Sequence, residues 1–116
     1  MLAREARLRT ADDFRSTMRT GRKVTSANLV VYLKRVPGTA QARFGFVVAK
    51  TVGNAVTRNL VKRRLRNLAR NQKTTSDRGL DIVVRALPGS ALVGWESLGQ
   101  EFETSLVKGL AKESND

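Results

Sequence analysis

Between residues 54 and 70 the sequence places cationic side chains at helical spacing. Arg58, Lys62 and Arg66 follow one another at intervals of four residues, so a helix carries them on one face. A helix of this length spans about 25 Å, and its guanidinium and ammonium groups can bind successive phosphates of a nucleic acid strand. The residues that we expect to contact nucleic acid are Arg58, Asn59, Lys62, Arg63, Arg66 and Arg70.

The charge of the chain is high and unevenly distributed. The 116 residues include 22 Lys and Arg against 10 Asp and Glu, a formal net charge of +12. Residues 14–76 hold 15 of these cations and no carboxylate, so nothing in that block repels phosphate. A merely solvated amphipathic helix is less favoured, because no Asp or Glu at i±4 pairs with the cations. A membrane surface is also less favoured, because the apolar stripe lacks aromatic residues and must cover a sheet.

Side chains that perform catalysis are scarce. The chain has no His and no Cys, which excludes the commonest general base, a thiol nucleophile and a Cys-based zinc site. Asp12 and Asp13 are better explained by helix capping, and we expect Glu101 and Glu103 on the outer side of the last helix without facing each other. The sequence therefore predicts no catalytic residue and no metal site, and another component would supply the groups for any RNA chemistry.

Three helices are predicted from the spacing of apolar residues. A capping-box pattern at Thr10 begins a short helix that ends at Gly21. The basic helix, over 54–70, is expected to bury Val61, Leu65 and Leu68. The last helix, about 95–111, brings its apolar residues to one face, and these are Trp95, Leu98, Phe102, Leu106 and Leu110.

Three segments have the composition of strands, namely 28–35, 43–50 and 80–87. Residues 22–27 either extend the first of these or form a strand of their own. Turn residues at 37 and 38 predict that 43–50 returns beside 28–35. The order α-β-β-(β)-α-β-α predicts an α+β fold, an α/β sandwich on a small mixed sheet. We expect a single domain over 1–116, with a βαβ crossover through the basic helix.

The location of the protein is predicted from what the sequence lacks. No apolar run approaches the about 20 residues that a membrane span needs, and residues 1–9 lack the apolar stretch of a secretory signal. We therefore expect a cytoplasmic protein with no membrane contact. Among the aromatic residues, Phe44, Phe46, Trp95 and Phe102 are expected in the core, whereas Phe14 and Tyr32 are the candidates for stacking on unpaired bases.

The segment from Lys50 to Arg66, Lys-Thr-Val-Gly-Asn-Ala-Val-Thr-Arg-Asn-Leu-Val-Lys-Arg-Arg-Leu-Arg, resembles the signature of the protein subunit of bacterial ribonuclease P. The family pattern is a Lys followed by Gly-Asn-Ala-Val-x-Arg-Asn-Arg-x-Lys-Arg, and the resemblance extends over most of the chain. Three positions depart from the family. Leu60 replaces the second Arg of the motif, Thr51 replaces a common second Lys, and Met18 replaces a common aromatic residue.

The resemblance implies both a topology and a function. The βαβ crossover would be left-handed, against the usual right-handed preference. The chain would be an RNA-binding subunit, not catalytic alone, that binds the ribonuclease P RNA and the 5′ leader of precursor tRNA. Endonucleolytic removal of the leader would depend on Mg²⁺ bound mainly by the RNA, and no protein partner would be required. A cleft between the first helix and the sheet would hold the leader through Phe14, Met18, Tyr32 and Lys50.

One alternative from a different class shares the same composition. A structural ribosomal or ribosome-assembly protein is also small and basic, but it has no role in processing precursor tRNA. The leader cleft separates the two hypotheses, because only a processing subunit should bind precursor tRNA in preference to mature tRNA.

Overall fold

A four-stranded mixed sheet carries helices on both of its faces. The computed structural model describes residues 7–37, 42–72 and 79–114, with side chains as far as 111. Two short 3-10 turns follow the third and fourth strands, at Lys50–Val52 and Pro88–Ala91. In chain order the helices and strands are α1 (Ala11–Thr20), β1 (Arg22–Thr25), β2 (Leu29–Val36), β3 (Ala42–Val48), α2 (Ala55–Arg70), β4 (Gly79–Ala86) and α3 (Trp95–Ser114). This order confirms the predicted α+β class.

The strands lie in the order β1-β2-β4-β3. β2 runs antiparallel to both β1 and β4, and β3 runs parallel to β4. β3, α2 and β4 therefore form the predicted βαβ unit, and residues 22–25 are a strand of their own. The prediction that the third strand returns beside β2 is wrong, because β4 lies between them. β4 is buried along nearly its whole length, which is typical of a central strand covered on both faces. The predicted turn includes Gly38, which lies outside the described residues.

The two faces of the sheet enter two separate apolar clusters, because successive strand residues point to opposite sides. α2 and α3 cover one face, where Phe102 of α3 and Leu65 of α2 belong to the same buried cluster as Leu33 of β2. α1 covers the other face, where its half-buried Phe14 and Met18 pack against a cluster formed by Leu8, Val30, Tyr32 and Val83.

The helix starts follow their local sequence. The Thr10 hydroxyl accepts a hydrogen bond from the backbone N–H of Asp13 at 3.1 Å. The side-chain Oδ1 of Asn54 accepts one from the backbone N–H of Thr57 at 2.9 Å. Gly53, just before α2, has φ 158°, and a Cβ there would lie 2.8 Å from the Thr57 side chain. A larger residue at 53 would therefore crowd the first turn of the basic helix.

The last helix confirms one prediction and contradicts two. Leu98, Phe102 and Leu106 are fully buried as expected, but Trp95 is 41% exposed because it opens the helix one turn before the buried stripe begins. Glu101 does not lie on the outer side. Its carboxylate accepts hydrogen bonds from the turn between β1 and β2, provided by Ser26 Oγ and by the backbone N–H and side-chain amide of Asn28. None of the helices in the described ranges is long and apolar enough to cross a membrane.

Candidate nucleic-acid interface

The basic helix presents its cations away from the core, as its spacing predicted. Val61 and Leu65 are buried as expected, whereas Leu68 is only partly buried and Ala69 takes the third buried position. Within the described ranges, no carboxylate forms an ion pair with any cation of α2. Of the residues predicted to contact nucleic acid, Arg58 and Lys62 are partly exposed. The other four are exposed, and these are Asn59, Arg63, Arg66 and Arg70.

An open cavity of about 190 Å³ lies at the β3 edge of the sheet. Both α1 and α2 reach it, although they cover opposite faces, because β3 is an edge strand. Three cations line it, and no carboxylate is among the lining residues that the structure describes. The volume corresponds to about six water molecules. The cavity is lined by Arg7, Leu8, Phe14, Phe44, Gly45, Phe46, Lys62 and Arg66.

The segment before α1 covers part of the free edge of β3. The backbone N–H of Leu8 donates to the carbonyl oxygen of Phe44 at 2.9 Å, and Arg7 forms an isolated parallel bridge with the same residue. This pairing covers backbone groups that an edge strand would otherwise leave free. It also brings the Arg7 side chain to the cavity, where the Nε atom of Arg7 has no hydrogen-bond partner. Sequence reasoning missed Arg7, because no periodicity relates it to the basic helix.

Three aromatic rings, together with Leu8, form the apolar part of the cavity. The Phe44 and Phe46 rings are stacked, with centroids 6.4 Å apart and planes inclined by 7°. The Phe14 ring approaches β3 closely, because a Cβ placed on Gly45 would lie 2.5 Å from ring atoms Cε1 and Cζ. Gly45 therefore leaves the space that the ring occupies. This close approach gave no signal in the sequence.

Arg43 lies within the block 14–76, which has no carboxylate of its own, and is bound by carboxylates from outside that block. Arg43 on β3 donates from Nε and Nη2 to the two carboxylate oxygens of Asp81 on β4, each at 2.8 Å. Its Nη1 lies 3.7 Å from Oδ2 of Asp13 on α1. The hydrogen bonds that Arg43 donates to Asp81 raise the pKa of Arg43, although burial opposes this, so the guanidinium stays charged. Arg43 thus connects three elements of the fold.

The four residues predicted for a leader cleft lie in two places. Phe14 and Met18 are half-buried and pack against the cluster that contains Tyr32, which is itself only 6% exposed. Lys50 is exposed in the 3-10 turn after β3. Of the four, only Phe14 lines the cavity. Tyr32 therefore supports the α1 side of the sheet and offers little ring surface to a ligand in this structure.

The described residues offer little for metal binding. They contain no cluster of three or more carboxylate, His or Cys side chains that could hold an ion. The cavity itself is lined by cations, which repel a divalent metal. The arrangement is suited to binding phosphate and flat apolar groups.

Comparisons of sequence and comparisons of fold identify the same protein family. Residues 2–109 match the family model described as Ribonuclease P. The chain is 45% identical over 106 residues to the ribonuclease P protein component of Pseudarthrobacter chlorophenolicus, covering 91% of this chain and 78% of that protein. It is 40% identical over 108 residues to that of Clavibacter michiganensis, covering 93% and 96%.

Solved structures show the same fold. The ribonuclease P protein of Staphylococcus aureus superposes with a TM-score of 0.80 at 28% identity, over 87% of this chain and 92% of that one. The ribonuclease P protein of Thermotoga maritima superposes with a TM-score of 0.74 at 27% identity, over 84% and 92%. With a family match over nearly the whole length and relatives at 40–45% identity, the chain belongs to the family of ribonuclease P protein components.

Proposed function

We propose that the cavity at β3 holds the single-stranded 5′ leader of precursor tRNA while α2 contacts the ribonuclease P RNA. A protein component of ribonuclease P acts together with that RNA in a ribonucleoprotein endonuclease. One observation carries the proposal for the leader: Arg7, Lys62 and Arg66 line the same cavity as Phe14, and no described residue of the lining is a carboxylate.

The shape and chemistry of the cavity favour an unpaired nucleotide. Phosphate oxygens would accept hydrogen bonds from the three cations, and a base would stack on Phe14 or on the partly exposed Phe46. A volume of about 190 Å³ is large enough to admit a single base. This combination of stacking surface and cationic groove is typical of sites for single-stranded nucleic acid.

The remaining residues of the predicted leader cleft support this site from the α1 side. Met18 packs beside Phe14 on the cluster that includes Tyr32. We therefore assign Tyr32 to the support of α1, and Lys50 to a phosphate of the leader farther along the strand. Met18 and Phe14 are the members that can offer apolar surface to the RNA.

The contribution of the chain is binding, and the chemistry belongs to the RNA. Mg²⁺ would be bound mainly by the RNA, since the cationic cavity does not suit a divalent cation. The cations of α2 would lower the Mg²⁺ requirement because they reduce the repulsion between phosphates. Holding the leader would favour precursor over mature tRNA. The proposed setting is the cytoplasm, with no membrane and no further protein partner required.

The decisive experiment is cleavage of a precursor tRNA by the cognate ribonuclease P RNA at low Mg²⁺. It is run with the chain, without the chain, and with the chain in the absence of RNA. We expect strong stimulation by the chain and no cleavage by the chain alone. Tight RNA binding without stimulation, and without preference for precursor tRNA, would contradict the proposal and favour the ribosomal alternative.

A further inference from the structure

Asp12 and Asp13 are neighbours in the first turn of α1, yet they contact different parts of the protein. Asp12 forms an ion pair with Arg15 on the same helix, and both side chains are largely exposed. Asp13 instead reaches across to the sheet, where its Oδ2 lies 3.7 Å from Nη1 of Arg43. The two carboxylates therefore share a charge and a position relative to the helix dipole, and differ in whether they hold α1 to the sheet.

The Arg43 guanidinium that Asp13 contacts is held in place by Asp81. The Asp81 side chain is nearly inaccessible to solvent, with a relative exposure of 6%, and binds the guanidinium with both oxygens at 2.8 Å. A two-pronged arrangement of this kind sets the plane of the guanidinium, so Nη1 is left to face α1. Asp13 is thus connected through Arg43 to Asp81 on β4, a central strand of the sheet.

A second contact lies beside the first. Phe14, the next residue on α1, rests on Gly45, which is two residues beyond Arg43 on the same face of β3. Asp13 on Arg43 and Phe14 on Gly45 together set where the start of α1 lies along β3. Phe14 lines the cavity, whereas Asp13 and Arg43 do not.

We propose that Asp13 is a positioning residue, which through Arg43 holds the first turn of α1 so that Phe14 forms the wall of the leader cavity. This inference rests on the proposed function of that cavity. A positioning role and a simple charge effect predict opposite changes in RNA binding when the Asp13 carboxylate is removed. A carboxylate near the cavity repels RNA, so on charge alone its removal would tighten binding. If Asp13 positions Phe14, removal of the carboxylate weakens binding of the leader.

The test uses holoenzyme reconstituted with the cognate ribonuclease P RNA. The dissociation constants of precursor and mature tRNA are measured for Asp13→Asn, for the matched control Asp12→Asn and for the conservative Asp13→Glu. We expect Asp13→Asn to reduce the preference for precursor tRNA by about two- to fivefold, the range for a partly exposed ion pair. The control should keep the full preference, and Asp13→Glu should restore most of it.

Two further measurements separate positioning from damage to the fold. Asp13→Asn should raise KM for precursor tRNA while leaving kcat, the Tm of the free protein and the affinity for ribonuclease P RNA close to those of the control. If Phe14→Ala loses the preference and Asp13→Asn behaves like Asp12→Asn, the positioning role is refuted. If Phe14→Ala keeps the preference, the leader site itself is wrong and the inference built on it fails as well.

Discussion

Adding one methyl group at Gly45 should displace the aromatic wall of the cavity. The new Cβ would lie 2.5 Å from Cε1 and Cζ of Phe14 and 3.1 Å from Cδ1 of Leu8. Carbon atoms in contact need about 3.5 Å, so the Phe14 ring must move by about 1 Å. Overpacking of this kind costs about 1–3 kcal/mol, and we expect the lower end because the far end of a half-buried ring can move.

Stability and leader binding should both fall in Gly45→Ala. A loss of about 1 kcal/mol lowers Tm by about 4 °C in a chain of this size. Stacking of a base on an aromatic ring contributes about 1–3 kcal/mol, and losing 1 kcal/mol of it weakens binding of precursor tRNA about fivefold. Mature tRNA, which has no leader, should bind as before.

The assay combines thermal unfolding of the free protein with binding of precursor and mature tRNA to the holoenzyme. Gly94→Ala is the matched control, because a Cβ there would meet no atom within 4 Å. A Tm and a preference equal to those of the control would refute the close approach of Phe14 to β3. A lowered Tm with an unchanged preference would show that Phe14 does not contact the leader.

Three further changes test other parts of the molecule. Arg66→Ala should reduce the slope of log affinity for RNA against log salt by about one unit, because one phosphate contact is lost; an unchanged slope would remove Arg66 from the interface. Asp81→Asn should lower the stability by about 1.5–3 kcal/mol in urea unfolding, because Arg43 loses a charged acceptor; a smaller loss than in Asp12→Asn would contradict this. Burial of Glu101 opposes its ionisation, but the hydrogen bonds from Ser26 and Asn28 outweigh burial and lower the pKa below 4.5. The stability that Glu101 contributes is therefore complete above the unfolded-state pKa and is lost as pH falls through the lower folded-state pKa. Glu101→Gln should reduce this loss of stability at low pH, measured by urea unfolding down to about pH 3. Glu103→Gln should leave the pH dependence of stability unchanged.

Local features of the fold could be predicted because they depend on residues close together in the chain. The Thr10 cap and the buried positions Val61 and Leu65 follow from hydrogen bonding and helical period within one or two turns. The cationic face of α2 follows from the same period. The family could be recognised for a similar reason, since its signature is a contiguous segment.

Features that depend on distant parts of the chain could not be predicted in this way. The pairing of the third strand with β4, the engagement of Glu101 by the turn between β1 and β2, and the exposure of Trp95 all depend on which elements become neighbours. The turn residues after β2 favour a reversal of the chain, but they do not select the strand that lies beside the next one.

The sequence by itself determined that the chain is a basic protein without His or Cys, that most cations of the basic helix share one face, and which family the chain resembles. Only the tertiary structure decided which charges share a site. It brought Arg7 to Lys62 and Arg66, directed Arg43 to Asp81, and buried Tyr32. The physical reason is that residue type and period are local, whereas the partner of a side chain depends on strand order and on the edge or face that its strand occupies.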